Sequence, residues 1–596
     1  MTAYRDLSPK RRSIIISVLS VVIFLSLGFR LYQLQIIEHE KHKTTSEKNA
    51  IREKLIEPYR GIFYDRNWEI LVDNEPGYTL RITPYYFDTS TIPLIESFFK
   101  FKSGYIKSLL KVNRNFSPFI PIRILRGLNF EQVSWLEENK EQLKGVDYIV
   151  DMKRIYPFGV KGSHLFGYCK EISRSELEAN KEIYTLGDFV GHTGLEKYYE
   201  QLLRGKKGRQ FIYVDSRGRE IGPVNNGKND IQPVAGYNAQ LTIDGDLQKL
   251  AEELLDGKSG AIVAIDPQNG EILTLVSKPD FDLSLLAGHT PLSFWRELNQ
   301  DKRKPLFNRA TSSIYPPGSC FKPVSSIAAL QDKIIDEKYL YTCGGGFLFG
   351  NNFYKCMGSH GSINVVHSIE KSCNTFYFSL ILKIGFDRWT RYGDLFGFGK
   401  KTGIDIYEET PGILPSTQYY DKVYGKNKWT KGYIVSLGVG QGELGVTPLQ
   451  MAQYVAAIAN GGTIYRPHAV RKLFNQNAIP KEIYVKVEGK NLGIRKDVIE
   501  LVRRGMYLVV NGSGTAPHVK IPGIDVAGKT GTAQNPHGKD HAWFIGFAPF
   551  ENPSIAIAVV VENAGFGGAV AAPIARELIK FYLRDKNKDD QILAAK

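Results

Sequence analysis

The sequence predicts an α+β protein joined to one membrane-spanning helix, and three observations carry that prediction. Residues 13–29 read SIIISVLSVVIFLSLGF, an uncharged apolar run that nothing else in the chain approaches. After Pro233 the pattern is hairpin, then several helices, then two apolar strands and a final helix, the order of an α+β layer fold of about 350 residues. Between them, 38–235 carries short β-like runs separated by Gly- and Tyr-containing turns, a mostly β module.

Composition narrows the function classes. The 596 residues hold 77 Lys+Arg against 62 Asp+Glu, a net charge of +15, with 43% hydrophobic residues, which excludes wholesale disorder. Gly and Pro recur without a period, which excludes collagen-like and solenoid repeats. With no long Lys/Arg block and no nucleic-acid module, the excess charge does not point to nucleic acid.

Taken in order, residues 1–12 are a cytoplasmic stub: Arg5, Lys10, Arg11 and Arg12 face a single acid, Asp6, and the positive-inside bias keeps them inside. The span is 13–37, continuing through LYQLQII past a snorkelling Arg30 and long enough for a bilayer core. A cleaved signal peptide with Ser26-Leu27-Gly28 at its site is the alternative, disfavoured because the apolar run continues beyond Arg30. The remainder is therefore placed on the periplasmic face of the inner (cytoplasmic) membrane. Residues 38–60 alternate acids and bases as a polar helix or stalk, and RGIFYDRNWEILVDN is a strand–turn–strand with Asp65-Arg66-Asn67 at the turn. The module 38–235 includes an inserted head region at 77–150, with β-like GYTLRITPYY and helical FEQVSWLEENKEQL, and ends in the β pair RQFIYVDSRGREIGPV. Within 236–583, LTIDGDLQKLAEELLDG is read as a helix and GAIVAIDPQNGEILTLVSKP as a hairpin turning at Gln268-Asn269-Gly270. VTPLQMAQYVAAIANGG and APIARELIKFYL read as helices, AWFIGFAPF and SIAIAVVVENAG as strands, and 584–596 as a solvated tail.

Three short motifs carry the chemistry. Ser319-Cys320-Phe321-Lys322 is an S-x-x-K, whose spacing on a helix places the amine beside the hydroxyl, where a desolvated lysine acts as base. The pattern recurs at Ser108–Lys111 and Ser368–Lys371, but only Ser319 follows Tyr-Pro-Pro-Gly (315–318), which launches a helix with the serine in its first turn; the other two read as solvated helix faces. Ser372-Cys373-Asn374 is an S-x-N whose alternate polar side chains share a cleft; Ser362-Ile363-Asn364 repeats it in a Gly/Ser loop. Lys529-Thr530-Gly531-Thr532 supplies a cation and hydroxyl donors for a carboxylate, with Gly531 read as room for a substrate backbone along the strand. A second K-T-G, Lys401-Thr402-Gly403, sits in a Gly-rich turn and is read as structural.

The ordered set S-x-x-K, S-x-N, K-T-G resembles the active site of penicillin-binding proteins and serine β-lactamases. NRATSSIYPPGSCFKP, KSCNTFYF, LGVGQGELGVTPLQMAQYVAAIANGG, GKTGTAQ and HAWFIGFAPF are similar to the transpeptidase domain of class B penicillin-binding proteins. RGIFYDRN, RIYPFGVKGSHLFGY and GHTGLEKYYEQLLRGKKGRQFIYVDSRGR resemble that class's N-terminal pedestal (dimerisation) domain, and the elongation-type branch fits best. Two departures stand out: Trp68 where family members place Gly after Asp-Arg-Asn, and Cys373 inside the S-x-N.

The resemblance implies a peptidoglycan D,D-transpeptidase, a serine enzyme of cell elongation and rod-shape maintenance that cross-links stem peptides ending in D-Ala-D-Ala and is inhibited by β-lactams. It implies Ser319 as nucleophile, Lys322 as base, Ser372 as proton relay, and Asn374 as holder of the peptide amide. The backbone N–H groups of Ser319 and Thr532 form the oxyanion hole, and Lys529, Thr530, Gly531 and Thr532 hold the substrate carboxylate. It also implies a SEDS-family, RodA-like polymerase and the elongation machinery as partners. A division-type paralogue and a non-enzymatic activator of that polymerase are the alternatives; a β-lactamase is disfavoured, because no base is evident for a deacylating water. Cys343, Cys356, His360 and Cys373, spaced C-x12-C-x3-H-x12-C, make an acceptable tetrahedral zinc set. Relatives of the elongation type are understood to bind zinc beside the active site; the other reading is a Cys343–Cys356 disulfide. The +15 is read as favouring anionic headgroups and acidic stem peptides.

Overall fold

The structure is a computed structural model that describes residues 9–38, 51–114, 118–119, 121–214, 220–287, 290, 292–475 and 481–594. The first helix, α1 (Pro9–Tyr32), continues as one π turn to Ile37. Arg12–Ile37 is the one described helix long and apolar enough to cross a membrane, with mean hydropathy 2.5. Its 26 residues span about 39 Å at the helical rise. The chain divides into two compact units, 1–58 with 206–234, and 59–205 with 235–596.

The smaller unit pairs Ile51–Ile56 antiparallel with Gly208–Val214, which pairs in turn with Glu220–Pro223. The expected polar stalk therefore ends in a strand; its residues 39–50, and residues 215–219, lie outside the described residues.

The larger unit begins with β1 (Phe63–Tyr64) and β2 (Ile70–Ile82), joined at the expected turn, where Asp65 Oδ1 accepts from the backbone N–H of Asn67 and Glu69. Then come β3 (Ile122–Leu128) and β4 (Val146–Ile155), both paired to β2. A capping box at Asn129/Gln132 starts the expected helix, Phe130–Glu138. After β5 (Asn238–Leu241), Asp244 caps α2 (Gly245–Leu254), so the residues LTI belong to the strand and bend that precede the helix. A hairpin of β6 (Gly260–Ile265) and β7 (Ile272–Lys278) follows, with Gly270 at φ +84° in its turn.

The middle of the chain is helical: α3 (Lys322–Gln331), α4 (Asn374–Ile384), α5 (Thr417–Tyr424), α6 (Lys431–Val435) and α7 (Pro448–Ala459). All twelve residues of α7 are buried; Pro448 at its first turn and a Thr447/Gln450 capping box fix its start. Two strands, β8 (Val470–Asn475) and β9 (Lys481–Tyr484), then α8 (Lys496–Asn511), lead to β10 (Ala527–Ala533), β11 (His541–Ala548) and β12 (Ile555–Val561). The last helix, α9, runs from Gly567 to Ala594, so helical backbone extends through the segment read as a tail.

Two sheets organise this unit. One is antiparallel, in the order β7-β6-β12-β11-β10. Every residue of β6 and β12 is buried, which requires cover on both faces and explains why GAIVAI and IAIAVVV show no polar alternation. The other runs β9-β8-β5-β1-β2-β3, with β4 also on β2; β1 and β5 pair in parallel, Phe63 opposite Ala239. Strands of the N-terminal module and of the C-terminal region are thus hydrogen-bonded into one sheet.

Candidate active site

Ser319 sits in a 3-10 turn, Gly318–Phe321, that passes directly into α3, where Lys322 is the first residue and Pro323 follows in the first turn. The turn is held from several sides. Trp543 Nε1 donates to Pro316 O at 3.1 Å, and Gly318 N–H donates to Gly440 O at 2.9 Å. Gly318 has φ +55°, and a Cβ there would lie 2.7 Å from Thr532 O, so only glycine lets the turn approach β10 this closely. Gly531 meets the same turn from the strand: a Cβ on it would lie 2.8 Å from both Cys320 Sγ and Pro317 O. The space left by that glycine is filled by the serine turn, a packing reason where the sequence suggested room for substrate backbone.

Lys322, Ser372, Asn374 and Lys529 converge. Lys322 Nζ lies 2.7 Å from Ser372 O, 3.2 Å from Ser372 Oγ and 2.8 Å from Asn374 Oδ1. Lys529 Nζ donates to Ser372 Oγ at 2.9 Å and to Thr530 O at 3.0 Å. Both lysine side chains are wholly buried. Burial first, and then the neighbouring Lys529 charge, push the Lys322 amine well below its usual range, toward a free base. Burial also brings Lys529 down to about 8. The Ser319 hydroxyl, half-buried, makes no hydrogen bond within the described residues.

Ser372 occupies this position at a backbone cost. Its φ is +55°, a region L-residues avoid, and it lies just past the helix Val365–Glu370, with its N–H on Ile369 O and the N–H of Cys373 on Ser368 O. The next residue turns the other way. Cys373 is buried and joins Cys343, Cys356 and His360 in a group whose four ligand atoms lie within 4.8 Å of one another. Cys356 Sγ is 3.9 Å from Cys373 Sγ and 3.6 Å from His360 Nδ1, and it accepts from the N–H of Asn374 at 3.2 Å. Tetrahedral zinc–thiolate bonds place neighbouring sulfurs about 3.8 Å apart, so the donor set fits zinc in type and spacing. All five cysteines, including Cys343 and Cys356, are free thiols, so the alternative disulfide is not formed. The hydrogen bond from Cys373 pulls the Cys356 thiol well below its usual range.

Two contributors escape the motifs. Gln441 Nε2 donates to Thr532 O at 3.0 Å, and its Oε1 accepts from Gln534 N–H at 3.4 Å. Thr515 and Thr530 share a hydroxyl hydrogen bond of 2.6 Å. The glycine-flanked glutamine of LGVGQGELG is a sequence signal for the first; nothing in the sequence marks the second. Lys529–Thr532 lie on β10, the edge strand of its sheet, which leaves one side of the backbone open to a ligand.

The duplicate motifs resolve structurally. Ser108, within the helix Tyr105–Val112, donates back to Tyr105 O, and both it and Lys111 are exposed as expected. Ser368 is fully buried and donates to Val365 O, so it is not on a solvated face, while Lys371 is partly exposed and donates to Ser513 O. Asn364 caps the helix Val365–Glu370. Thr402 is pinned through its N–H and hydroxyl to Glu409, each at 2.6 Å. Trp68 has φ +72°, which explains why glycine suits that turn, and its ring packs 5.5 Å from Phe474.

Comparison with known proteins is consistent along the whole chain. Residues 260–580 match the penicillin binding protein transpeptidase domain, and 55–241 match the penicillin-binding protein dimerisation domain. The chain is 33% identical to a peptidoglycan D,D-transpeptidase MrdA of Acinetobacter baumannii, over 96% of this chain and 87% of that one. It is 31% identical to the protein of the same name from Escherichia coli K12, over 94% and 92%. A structure of Helicobacter pylori penicillin-binding protein 2 in complex with MreC aligns with TM-score 0.79 and 28% identity, covering 90% of this chain and 99% of that one. A structure described as a peptidoglycan synthase complex coordinating polymerization and crosslinking aligns with TM-score 0.68 and 28% identity, covering 95% and 97%.

Proposed function

The chain belongs to the penicillin-binding protein transpeptidases, as an elongation-type peptidoglycan D,D-transpeptidase, and on that premise we propose how its own residues divide the work. The observation that carries the reading is one hydroxyl, Ser372 Oγ, lying 3.2 Å from Lys322 Nζ and 2.9 Å from Lys529 Nζ.

Lys322, as free amine, takes the proton of Ser319 Oγ, which attacks the carbonyl of the penultimate D-Ala. The C–N bond breaks, terminal D-Ala leaves as an amine, and its proton comes from Lys322 through the Ser372 hydroxyl. A neutral Lys322 donates its two hydrogens to Ser372 O and Asn374 Oδ1, which leaves its lone pair for the Ser319 proton, while Ser372 Oγ lies 3.2 Å from it and accepts from Lys529. The site thus holds a connected path for one proton without a buried pair of adjacent cations. The N–H groups of Ser319 and Thr532 stabilise the oxyanion. Lys529, Thr530 and Thr532 receive the substrate carboxylate, and Asn374 the peptide amide. An amine from a second stem peptide resolves the ester, and β-lactams acylate the same serine.

Residues 236–583 form the catalytic domain and 38–235 the pedestal with its head at 77–150. Residues 13–37 anchor the chain in the inner membrane, with 1–12 cytoplasmic and the enzyme periplasmic. A RodA-like SEDS polymerase and the elongation machinery are the partners, a reading supported by the relatives' structures of a complex with MreC and of a peptidoglycan synthase complex. Cys343, Cys356, His360 and Cys373 hold one zinc ion, which supplies a structural cross-link behind the S-x-N turn. Native mass spectrometry tests it: one zinc per chain is expected, and a metal-free mass two protons light overturns it.

Labelling with a fluorescent penicillin tests the site. Wild type and Ser108→Ala are expected to label and Ser319→Ala to stay dark; signal in Ser319→Ala overturns the assignment.

A further inference from the structure

A lysine-rich surface sits immediately upstream of the loop that braces the serine turn. Residues 416–435, STQYYDKVYGKNKWTKGYIV, contain Lys422, Lys426, Lys428 and Lys431 against one acid, Asp421. All four lysines are exposed, and none has an ion-pair or hydrogen-bond partner for its ammonium among the described residues. The nearby carboxylates are turned toward neutral donors and make no ion pair with these lysines. Asp421 accepts from Trp429 Nε1 at 2.8 Å, and Glu443 accepts from the hydroxyls of Tyr420, at 2.6 Å, and Tyr424.

The surface is also rigidly backed. Tyr420 is fully buried, and its ring lies 5.1 Å from Phe386 and 5.3 Å from Trp429; Tyr424 and Tyr433 are 4.9 Å apart. Aromatic packing on one side of α5 and α6 therefore holds the lysine-bearing side outward, with Val423 and Tyr433 half-exposed among the charges.

Position gives this surface a use. α6 passes straight into the 3-10 turn Ser436–Val439 and then Gly440 and Gln441, which bond Gly318 and Thr532. The nine residue-to-residue steps from Lys431 to Gly440, in helical conformation, cover about 15 Å. An extended pentapeptide spans about 17 Å. A stem peptide with its D-Ala end at Ser319 carries the free carboxylates of its inner residues roughly 7–10 Å along that length, which leaves about 5–8 Å to the Lys431 end of the surface. At physiological salt, charges attract over about 8 Å, so contact need not be atom-to-atom.

We propose that the α5–α6 surface, through Lys422, Lys426, Lys428 and Lys431, is an electrostatic docking site for the carboxylate-bearing stem peptides of the peptidoglycan strand, outside the serine cleft. This rests on the transpeptidase reading above. The surface selects and concentrates polymeric substrate without touching the reacting atoms, so small β-lactams do not require it.

The test replaces all four lysines with glutamine in the full-length protein, beside a control that removes the same charge from the pedestal (Lys100, Lys102, Lys107 and Lys111→Gln). Fluorescent penicillin acylation is expected to stay within about twofold of wild type in both. With uncross-linked peptidoglycan strands as substrate, KM is expected to rise about tenfold at low salt in the α5–α6 variant alone, with kcat unchanged and the salt dependence of KM flattened. An unchanged KM, or an equal rise in the pedestal control, overturns the proposal. An unchanged KM with lost binding to phosphatidylglycerol vesicles also overturns it, in favour of a lipid-facing role. Failure of the transpeptidase reading would show separately, as penicillin labelling that survives Ser319→Ala.

Discussion

Ser372 concentrates the demands of the site in one residue. Its positive φ costs about 1 kcal/mol or more relative to glycine, yet it alone puts a hydroxyl between the two lysines. Ser372→Ala and Ser372→Gly are both expected to lose penicillin acylation by at least about a hundredfold, while the glycine variant melts higher than the alanine one by the equivalent of about 1 kcal/mol. Equal melting temperatures would show that the turn carries no strain. The two lysines also set a pH profile. In the proposed mechanism acylation uses Lys322 as free base and Lys529 as cation, and burial brings Lys529 to about 8. The rate with penicillin is therefore expected to fall as pH rises through about 8, and Lys529→Arg to abolish that alkaline limb; a wild-type rate flat to pH 10 would contradict it. The side chains that converge at the candidate site were legible in the sequence because S-x-x-K, S-x-N and K-T-G are local patterns. Gln441 and Thr515 were less so, since their roles arise from folding distant segments against β10.

At the scale of elements, the loop Ser436–Gln441 acts as a brace between the serine turn and β10. A Cβ on Gly440 would lie 2.1 Å from Gly318 O, and its φ is +71°. Gly440→Ala is expected to lower both the melting temperature and the penicillin acylation rate, the latter at least tenfold. Gln441→Ala is expected to slow acylation about tenfold with little change in melting, because it removes one hydrogen bond and leaves no backbone clash. A normal acylation rate in Gln441→Ala would confine that residue to packing. The hairpin turning at Gln268-Asn269-Gly270 and the helical run VTPLQMAQYVAAIANGG came directly from the sequence. The strand at 51–56 did not, since IREKLI reads as a polar stretch until Gly208–Val214 pairs with it.

For the whole molecule, the shared sheet matters most. β5 is flanked by β8 on one side and by β1 on the other, so a fragment starting at 236 would leave β5 as an exposed edge. Such a fragment is expected to aggregate or elute as oligomers by size-exclusion chromatography, whereas residues 38–596 elute as a discrete species; a stable, penicillin-reactive 236–596 monomer would refute this. No short-range pattern announces that β1 and β5 pair in parallel, because the partners are separated by most of the N-terminal module.

That sheet also sets a timetable for the newborn chain. Phe63 emerges early, but β8, which completes the strand order through β5, is made about 400 residues later. At ribosomal speeds of about 5–20 residues per second, the first strands wait on the order of 20–80 s for their last neighbour. During that interval, an unfinished sheet edge is available to any passing strand, and protection by chaperones in the compartment where folding occurs becomes part of how this protein reaches its native state.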